Sequence, residues 1–404
     1  MFSVLAVLLA AAIYVTSAVV APLPETTLSS DQTAALTQPS AQLSWPTYGG
    51  SAVTVLNYPG VTETNGSTAS VPIASMTKTV TALLVLDAKP IAAGGEGPNI
   101  TFTQADVDIL HQVQAEDGSW APVVAGSTMT EKQALESMLL PSANNYAMSL
   151  ATWAYGSIPA FVTAANAWLA QHGLTGTHLV DASGLDPGSV SDPSDLLAIG
   201  KMVLANPVLS SIVSTKQTTV PGAGTLKNTN SLLGVDGVDG IKTGNTTQAG
   251  YCLMFAAHVT VGSTKLQVLG AVLGASDHAQ LWASVKSLIA SVKSGFHEVE
   301  LSKQGQSFGT YTTMWGSSSD LVATQNKKML VWSNTPITVK VSAKPVALGL
   351  AGDVVGHASY TVNGTTETVP LSLKSAIAGP GFGWRLVHPG GLGTSNAGPT
   401  GRGR

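Results

Sequence analysis

The sequence predicts an α/β protein of the α+β type, in which helices flank a mainly antiparallel sheet and a small all-β domain follows. Two apolar runs, residues 251–260 and 265–273, are separated by a glycine-containing turn and predict an antiparallel strand pair. Helical patterns cluster between the first predicted strand, residues 52–57, and this pair. From Glu298 onward short alternating runs predict strands alone.

Composition limits the classes of function. The chain has 404 residues, of which 44% are hydrophobic, so it has enough apolar material for a large core. Only 10% of residues are charged, and the net charge of −4 without any basic cluster argues against nucleic-acid binding. Cys252 is the single cysteine, which excludes an internal disulfide, an iron–sulfur cluster and a cysteine-based zinc site.

The N-terminal segment, residues 1–22, carries no charge and is long enough to span a bilayer. It is equally consistent with a signal peptide, for which Thr16 and Ala18 offer small residues at a cleavage site. Either interpretation places the rest of the chain outside the cytoplasm, and the first makes the membrane a partner. Residues 23–42 are rich in Ser, Thr, Gln and Pro and predict a flexible linker.

Residues 43–296 form the predicted main domain. After strand 52–57 come a buried helix over 75–87 and a helix that begins with a capping box from Thr130 to Gln133 and ends before Pro141. An amphipathic helix over 157–172 ends at Gly173, and another begins at Asp192 and continues to residue 204. A last helix covers 278–292.

The smaller domain is predicted over residues 297–377. Its strands are residues 330–332, 337–341 and 360–369, the last folding back at Asn363-Gly364, a strong hairpin signal. Residues 378–404 are rich in Gly and Pro and predict a tail that is disordered beyond Pro389.

Three short motifs carry the candidate chemistry. The first is Ser75-Met76-Thr77-Lys78, in which the hydroxyl and the amine share one helix face at i and i+3. Apolar neighbours bury Lys78, burial lowers a lysine pKa, and a neutral lysine can deprotonate a serine. The alternative is an exposed lysine beside a serine that caps the helix.

The second motif is Ser142-Ala143-Asn144, which follows a helix end, and the third is Lys242-Thr243-Gly244 beside an apolar strand. Taken alone, Ser142 is better explained as a cap of the next helix, and the third motif is equally explained as a turn between strands. Gly244 lacks a Cβ, which would let a substrate backbone approach closely.

Together the three motifs resemble those of the penicillin-binding proteins and serine β-lactamases. The surrounding sequences resemble the low-molecular-mass D-alanyl-D-alanine carboxypeptidases from about residue 45 to residue 295, and more weakly beyond. The matching segments are Pro72-Ile-Ala-Ser-Met-Thr-Lys, Leu139-Leu-Pro-Ser-Ala-Asn-Asn-Tyr-Ala, Ala182-Ser-Gly-Leu-Asp, Asn228-Thr-Asn, Gly240-Ile-Lys-Thr-Gly-Asn and Trp384-Arg-Leu-Val-His-Pro.

The resemblance implies a serine D,D-peptidase of the bacterial cell envelope with a β-lactamase/transpeptidase-like fold. Its partners would be the peptidoglycan stem peptide and, as covalent inhibitors, β-lactams. Ser75 would be the nucleophile and Lys78 its base, and Ser142 would pass a proton to the departing D-alanine.

Further roles follow from the same resemblance. Asn144 would hold the substrate amide and Lys78, while Lys242, Thr243 and Gly244 would line the substrate strand. The backbone N–H groups of Ser75 and Asn245 would bind the oxyanion. No metal and no organic cofactor is implied.

Three alternatives remain open: a D,D-endopeptidase, a β-lactamase with the same motifs, or a non-catalytic cell-wall scaffold. Position 143 is alanine, so the Ser-Asp-Asn signature of class A β-lactamases is not matched.

One expected group is missing. Related carboxypeptidases carry an arginine after the strand that follows the Lys-Thr-Gly motif, where it binds the terminal carboxylate of the substrate. The three arginines of this chain all lie in its last twenty positions. Lys242, Thr243 and a protonated His278 are the remaining candidates for that carboxylate.

Overall fold

The computed structural model describes residues 2–31, 36–92 and 94–388. The described chain forms a central unit, Ala41–Phe296, and a terminal unit, which combines described residues of Met1–Ser40 and His297–Arg404. The predicted disordered stretch beyond Pro389 lies outside the described residues.

The helices are α1 (Phe2–Val20), α2 (Thr77–Ala88), α3 (Gln104–Ala115), α4 (Glu131–Leu139), α5 (Asn144–Tyr155), α6 (Ile158–Gln171), α7 (Pro193–Ala205), α8 (Pro207–Val213), α9 (His278–Ser294) and α10 (Phe382–Val387). A 3₁₀ turn, Ala74–Met76, leads into α2.

The strands are β1 (Thr27–Ser30), β2 (Gly50–Val55), β3 (Thr62–Gly66), β4 (Val71–Pro72), β5 (Asn99–Thr101), β6 (Thr128–Thr130), β7 (Val190–Ser191), β8 (Gln217–Val220), β9 (Gly224–Lys227), β10 (Val238–Thr246), β11 (Gly250–Val261), β12 (Thr264–Ala275), β13 (Phe296–Ser302), β14 (Ser307–Thr312), β15 (Ser318–Ala323), β16 (Lys327–Trp332), β17 (Thr338–Ala343), β18 (Val354–Val362) and β19 (Thr365–Leu373).

The central unit is built on a five-stranded antiparallel sheet with the order β10-β11-β12-β2-β3. Strands β11 and β12 correspond to the two apolar runs, and most of their side chains are buried because α7 and α9 pack against them. The predicted fold class is therefore confirmed. Strand β10 lies at an edge of this sheet and carries Lys242, Thr243 and Gly244.

Local sequence signals account for the residues at which α4 and α7 begin. The Thr130 hydroxyl accepts a hydrogen bond from the Gln133 backbone N–H, and the Gln133 side chain accepts one from the Thr130 N–H, so the predicted capping box is confirmed. Asp192 caps α7, as predicted, by accepting from the N–H groups of Ser194 and Asp195. These caps fix where α4 and α7 begin.

The β-rich part of the terminal unit is a six-stranded sheet with the order β1-β14-β15-β19-β18-β17. The hairpin between β18 and β19 turns at Asn363 and Gly364, whose φ angles of 47° and 79° are both positive. This confirms the predicted turn.

The linker expected over residues 23–42 departs from its prediction. Thr27–Ser30 forms strand β1, which pairs in an antiparallel register with β14. The sequence of β1 is Thr-Leu-Ser-Ser, and only Leu28 packs against the β core. The segment is held mainly by backbone hydrogen bonds to a distant strand, which any side chain permits. Its side chains therefore show no pattern from which a strand could be predicted.

Candidate active site

Ser75 lies in the 3₁₀ turn that leads into α2, one residue after Ala74, which has a left-handed φ of 48°. Lys78 follows on the first turn of α2 and is completely buried. The exposed-lysine alternative is therefore wrong. The Lys78 Nζ contacts the Ser75 Oγ at 2.8 Å, the Asn144 Oδ1 at 2.6 Å and the Ser183 carbonyl oxygen at 2.8 Å.

These three contacts fix the direction of the lysine lone pair. The Asn144 Oδ1 and the Ser183 carbonyl can only accept hydrogen bonds, so they take the two N–H groups of a neutral amine. The remaining position around Nζ, which a neutral amine fills with its lone pair, faces the Ser75 hydroxyl. The geometry thus suits removal of the hydroxyl proton.

Electrostatics favour the neutral amine. Burial lowers the pKa of Lys78 well below its ordinary value, and the positive charge of Lys242 lowers it further. Asp181 acts in the opposite direction and raises this pKa.

The Ser142-Ala143-Asn144 motif forms the tight connection between α4 and α5. Ser142 is buried and has a φ of 64°, a left-handed value that is uncommon for a residue with a side chain. Its Oγ has no hydrogen-bond partner within residues 2–31, 36–92 and 94–388. The helix-cap alternative is wrong, because Ala143 is the N-cap of α5 and no side chain caps that helix.

Lys242 and Thr243 lie within β10, so the alternative of a turn between strands is also wrong. Lys242 is buried, and burial lowers its pKa to about 7. The Thr243 Oγ1 lies 2.6 Å from the Thr229 Oγ1. The exposed Asn245 lies two residues further along β10 and pairs with Tyr251 of β11.

The structure explains the glycine at position 244 differently from the sequence, which suggested close approach of a substrate backbone. A Cβ at this position would lie 2.6 Å from the Ile73 carbonyl oxygen and 3.3 Å from the Ala74 Cβ. The glycine is therefore required by the packing of β10 on the chain that carries Ser75. This close packing brings the Lys242-Thr243-Gly244 motif of β10 against the turn that carries Ser75.

His278 is the first residue of α9 and lies between two aromatic rings. Its ring centroid is 4.5 Å from that of Tyr251 and 5.3 Å from that of Trp282, with which it stacks. Tyr251 is the β11 partner of Asn245, which places His278 near the end of β10.

Sequence reasoning missed two groups at the site. The Ser183 carbonyl, which contacts Lys78, lies in the Ala182-Ser-Gly-Leu-Asp segment, and Thr229, which contacts Thr243, lies in the Asn228-Thr-Asn segment. Both groups lie in segments whose sequences resemble those of the carboxypeptidases, and this resemblance is the sequence feature that could have indicated them. In the part of the chain that the structure describes, no group of three or more His, Cys, Asp or Glu side chains is placed to hold a metal ion.

Comparisons with known proteins agree with this geometry. A family model described as D-alanyl-D-alanine carboxypeptidase matches residues 54–277. The D-alanyl-D-alanine carboxypeptidase DacA of Escherichia coli is 31% identical over 261 residues, covering 61% of this chain and 60% of the relative. The chain thus matches about 60% of the length of that curated relative.

Two further comparisons bear on activity and fold. A D-alanyl-D-alanine endopeptidase of Pseudomonas aeruginosa is 30% identical over 208 residues, covering 50% of this chain and 64% of the relative. The crystal structure of penicillin binding protein 5 from Haemophilus influenzae has a TM-score of 0.56 at 21% identity, covering 85% of this chain and all of that one. The latter similarity shows a shared fold.

Proposed function

Because the chain belongs to the D-alanyl-D-alanine carboxypeptidase family, we propose that it removes the terminal D-alanine from peptidoglycan stem pentapeptides through a serine acyl-enzyme. The observation that carries this proposal is the arrangement around Lys78, whose free position faces the Ser75 hydroxyl. A non-catalytic scaffold has no need for a buried lysine that is held in this way.

In the acylation step the Ser75 proton moves to the neutral Lys78 amine while the Ser75 Oγ bonds to the carbonyl carbon between the two terminal D-alanines. The backbone N–H groups of Ser75 and Asn245 stabilise the oxyanion, and one such donor is worth roughly 3 kcal/mol in the transition state. The close packing of β10 on the chain before Ser75 supports this pairing of donors.

Collapse of the tetrahedral intermediate breaks the C–N bond and releases D-alanine. The leaving nitrogen needs a proton, which Ser142 donates and then recovers from the Lys78 ammonium. The support for Ser142 in this role is its buried hydroxyl, which lacks a partner among the described residues and is thus free to contact substrate. Water then cleaves the ester and restores the Ser75 hydroxyl.

Substrate contacts come from the second and third motifs. Asn144, whose Oδ1 orients Lys78, offers its amide nitrogen to the stem peptide. Lys242 and Thr243 provide a cation and a hydroxyl for the terminal carboxylate, and β10 provides an edge along which the peptide can lie. β-Lactams resemble the D-alanyl-D-alanine end and acylate Ser75.

The proposed location is the bacterial cell envelope. Ser3–Val20 within α1 has a mean hydropathy of 2.3 and is long and apolar enough to span a membrane, a property that signal peptides share. A peptidase of the cell wall must act outside the cytoplasm, which agrees with either role for α1.

Labelling with fluorescent penicillin, together with detection of free D-alanine from a pentapeptide, tests the proposal. The wild type should be labelled covalently, and Ser75→Ala should lose both labelling and D-alanine release. Ser194→Ala, at an exposed serine on α7, is the matched control and should keep both activities. Covalent labelling that survives Ser75→Ala would refute the assignment.

A D,D-endopeptidase is the second candidate, because the Pseudomonas aeruginosa relative bears that name. Cross-linked dimeric peptides separate the two activities. Cleavage of dimers into monomers, with little D-alanine released from pentapeptide, would favour the endopeptidase. Rapid hydrolysis of free penicillin would instead indicate a β-lactamase.

A further inference from the structure

Outside the three motifs, Asp181 is the centre of the polar network closest to Lys78. Its carboxylate accepts hydrogen bonds from the hydroxyls of Ser183 and Ser189, at 2.8 and 2.6 Å, and from the backbone N–H groups of Gly184 and Leu185, both at 2.9 Å. The backbone N–H of Asp186 donates to the same carboxylate at 3.4 Å. These donors all belong to residues 183–189, so one side chain holds this loop in shape.

The loop is also fixed against the elements that carry the nucleophile. The Thr81 hydroxyl of α2 donates to the Ala182 carbonyl at 2.7 Å. Gly184 packs so closely on the turn containing Ser75 that a Cβ would lie 1.8 Å from the Ala74 carbonyl oxygen. Between these two anchors the Ser183 carbonyl accepts from Lys78.

We propose that Asp181 is a positioning residue for acylation, which holds the Ser183 carbonyl against Lys78 and so directs the lysine lone pair to Ser75. A hydrogen-bond acceptor that drifts from Nζ leaves the amine free to rotate, and the fraction of time in which it faces Ser75 falls. Small misplacements of this kind reduce rates by orders of magnitude. This inference rests on the proposed function.

Asp181 has a second, electrostatic effect on Lys78 that separates its role from simple support of the fold. The charged groups acting on Lys78 are Lys242 of β10, which lowers its pKa, and Asp181, which raises it. Asn144 of α5 and Ser75, which also contact Nζ, are uncharged. Loss of the Asp181 charge therefore lowers the Lys78 pKa. On the acidic side of the pH profile the acylation rate rises as Lys78 loses its proton, and this acidic limb then moves to lower pH.

Rates of acylation by fluorescent penicillin, measured over roughly pH 5 to 9 in the full chain, test both effects. Asp181→Asn should lower the plateau rate by about 10- to 100-fold and move the acidic limb to lower pH. Asp181→Glu keeps the charge but shifts its position, so it should lower the plateau while the limb stays near that of the wild type.

Asp186→Asn is the matched control, because Asp186 lies in the same loop, is exposed and accepts from the Gly188 N–H. It should behave as the wild type. Should Asp181→Asn fail to fold, Ser189→Ala removes one hydrogen bond to Asp181 with the charge kept, and it should lower the plateau without moving the limb.

The inference would be overturned if Asp181→Asn kept a plateau rate within twofold of the wild type and an acidic limb at the same pH. An unchanged plateau rate in Ser189→Ala would also overturn it. Absence of labelling in the wild type itself would instead refute the proposed function. The two failures are thus distinguishable.

Discussion

The positive charge of Lys242 on β10 lowers the pKa of Lys78 on α2, although 164 positions separate the two residues in the sequence. Both side chains are buried, so little water screens the interaction. The central unit therefore contains two buried lysines with lowered pKa values, Lys78 facing the Ser75 hydroxyl and Lys242 on β10. A lowered Lys78 pKa favours the neutral amine, which is the form that the proposed role as a base requires.

Lys78→Arg should abolish acylation. A guanidinium retains its proton throughout the accessible pH range, so it cannot accept one from Ser75. A general base contributes about 100- to 10,000-fold, and the rate of penicillin labelling should fall by at least the lower figure. Labelling of the arginine variant at nearly the wild-type rate would show that Lys78 is not the base.

Lys242→Gln should move the acidic limb of the acylation profile to higher pH. Removing the positive charge raises the Lys78 pKa, so a higher pH is needed to populate the neutral amine. The pH dependence of penicillin acylation measures this limb. Lys286→Gln, which alters a lysine on α9 that does not act on Lys78, is the control. A limb that stays in place or moves to lower pH would contradict the coupling.

Thr243→Val should impair D-alanine release more than turnover of a substrate that lacks the free carboxylate. A hydrogen bond to a charged group is worth about 1.5–3 kcal/mol, so kcat/KM for the pentapeptide should fall roughly tenfold to a hundredfold. Comparison of kcat/KM for the two substrates provides the measurement. Equal losses on both would show that Thr243 has no special role at the carboxylate, and Thr229→Val would show how far the neighbouring hydroxyl contributes.

His278→Ala tests the other candidate for the carboxylate. The edge-to-face contact of His278 with Tyr251 and its stacking on Trp282 hold the ring near the end of β10. A role in carboxylate binding should raise KM for the pentapeptide several-fold, with kcat little changed, since such a contact exists before the reaction begins. Unchanged steady-state constants would remove His278 from the site.

Glu131 should make the protein less stable as the pH rises. It is completely buried at the start of α4, and burial raises its pKa from 4.5 to about 7, against the opposing effect of Lys89. A raised folded-state pKa means that the native state binds the extra proton between these values, so the stabilisation is present at low pH and is lost as the pH rises through about 7. The loss amounts to at most about 3 kcal/mol.

Denaturant unfolding of Glu131→Gln measures this effect. The glutamine variant lacks the charged form, so its free energy of unfolding should decline less over the same pH interval than that of the wild type. Glu116→Gln, at an exposed position after α3, should leave the wild-type pH dependence intact. Parallel curves for Glu131→Gln and the wild type would contradict the prediction.

We expect α1 to remain attached to the mature protein. Its apolar side chains are exposed along most of the helix, as suits contact with lipid. Its C-terminal carbonyls also have a partner, because the Arg385 Nη1 of α10 donates to the Val19 carbonyl at 2.6 Å, and the Tyr14 hydroxyl donates to the Leu386 carbonyl at 2.7 Å. Mass spectrometry of the mature chain should show residues 2–20, and a mature N-terminus at Val19 or later would show secretion instead.

Features of this protein could be predicted from the sequence where they depend on residues close together in the chain. The capping box of Thr130 and Gln133, the turn at Asn363 and the burial of Lys78 follow from neighbours in the sequence, and all three are confirmed. The Ser183 carbonyl could not be predicted as a contact of Lys78, because every residue type supplies a backbone carbonyl. The packing reason for Gly244 depends likewise on a segment 170 positions away.

Strand β1 has a consequence for the order in which the chain becomes structured. Asp31 and Ser307 lie 276 positions apart, and the intervening chain contains the whole central unit. Synthesis proceeds at roughly 5–20 residues per second, so β14 is made tens of seconds after β1, the strand with which it pairs. The central unit can fold during that delay, as an insertion between the first strand of the six-stranded sheet and its other five strands. Until β14 is made, β1 is unpaired, but it is short and mostly polar, which limits its tendency to pair with other chains.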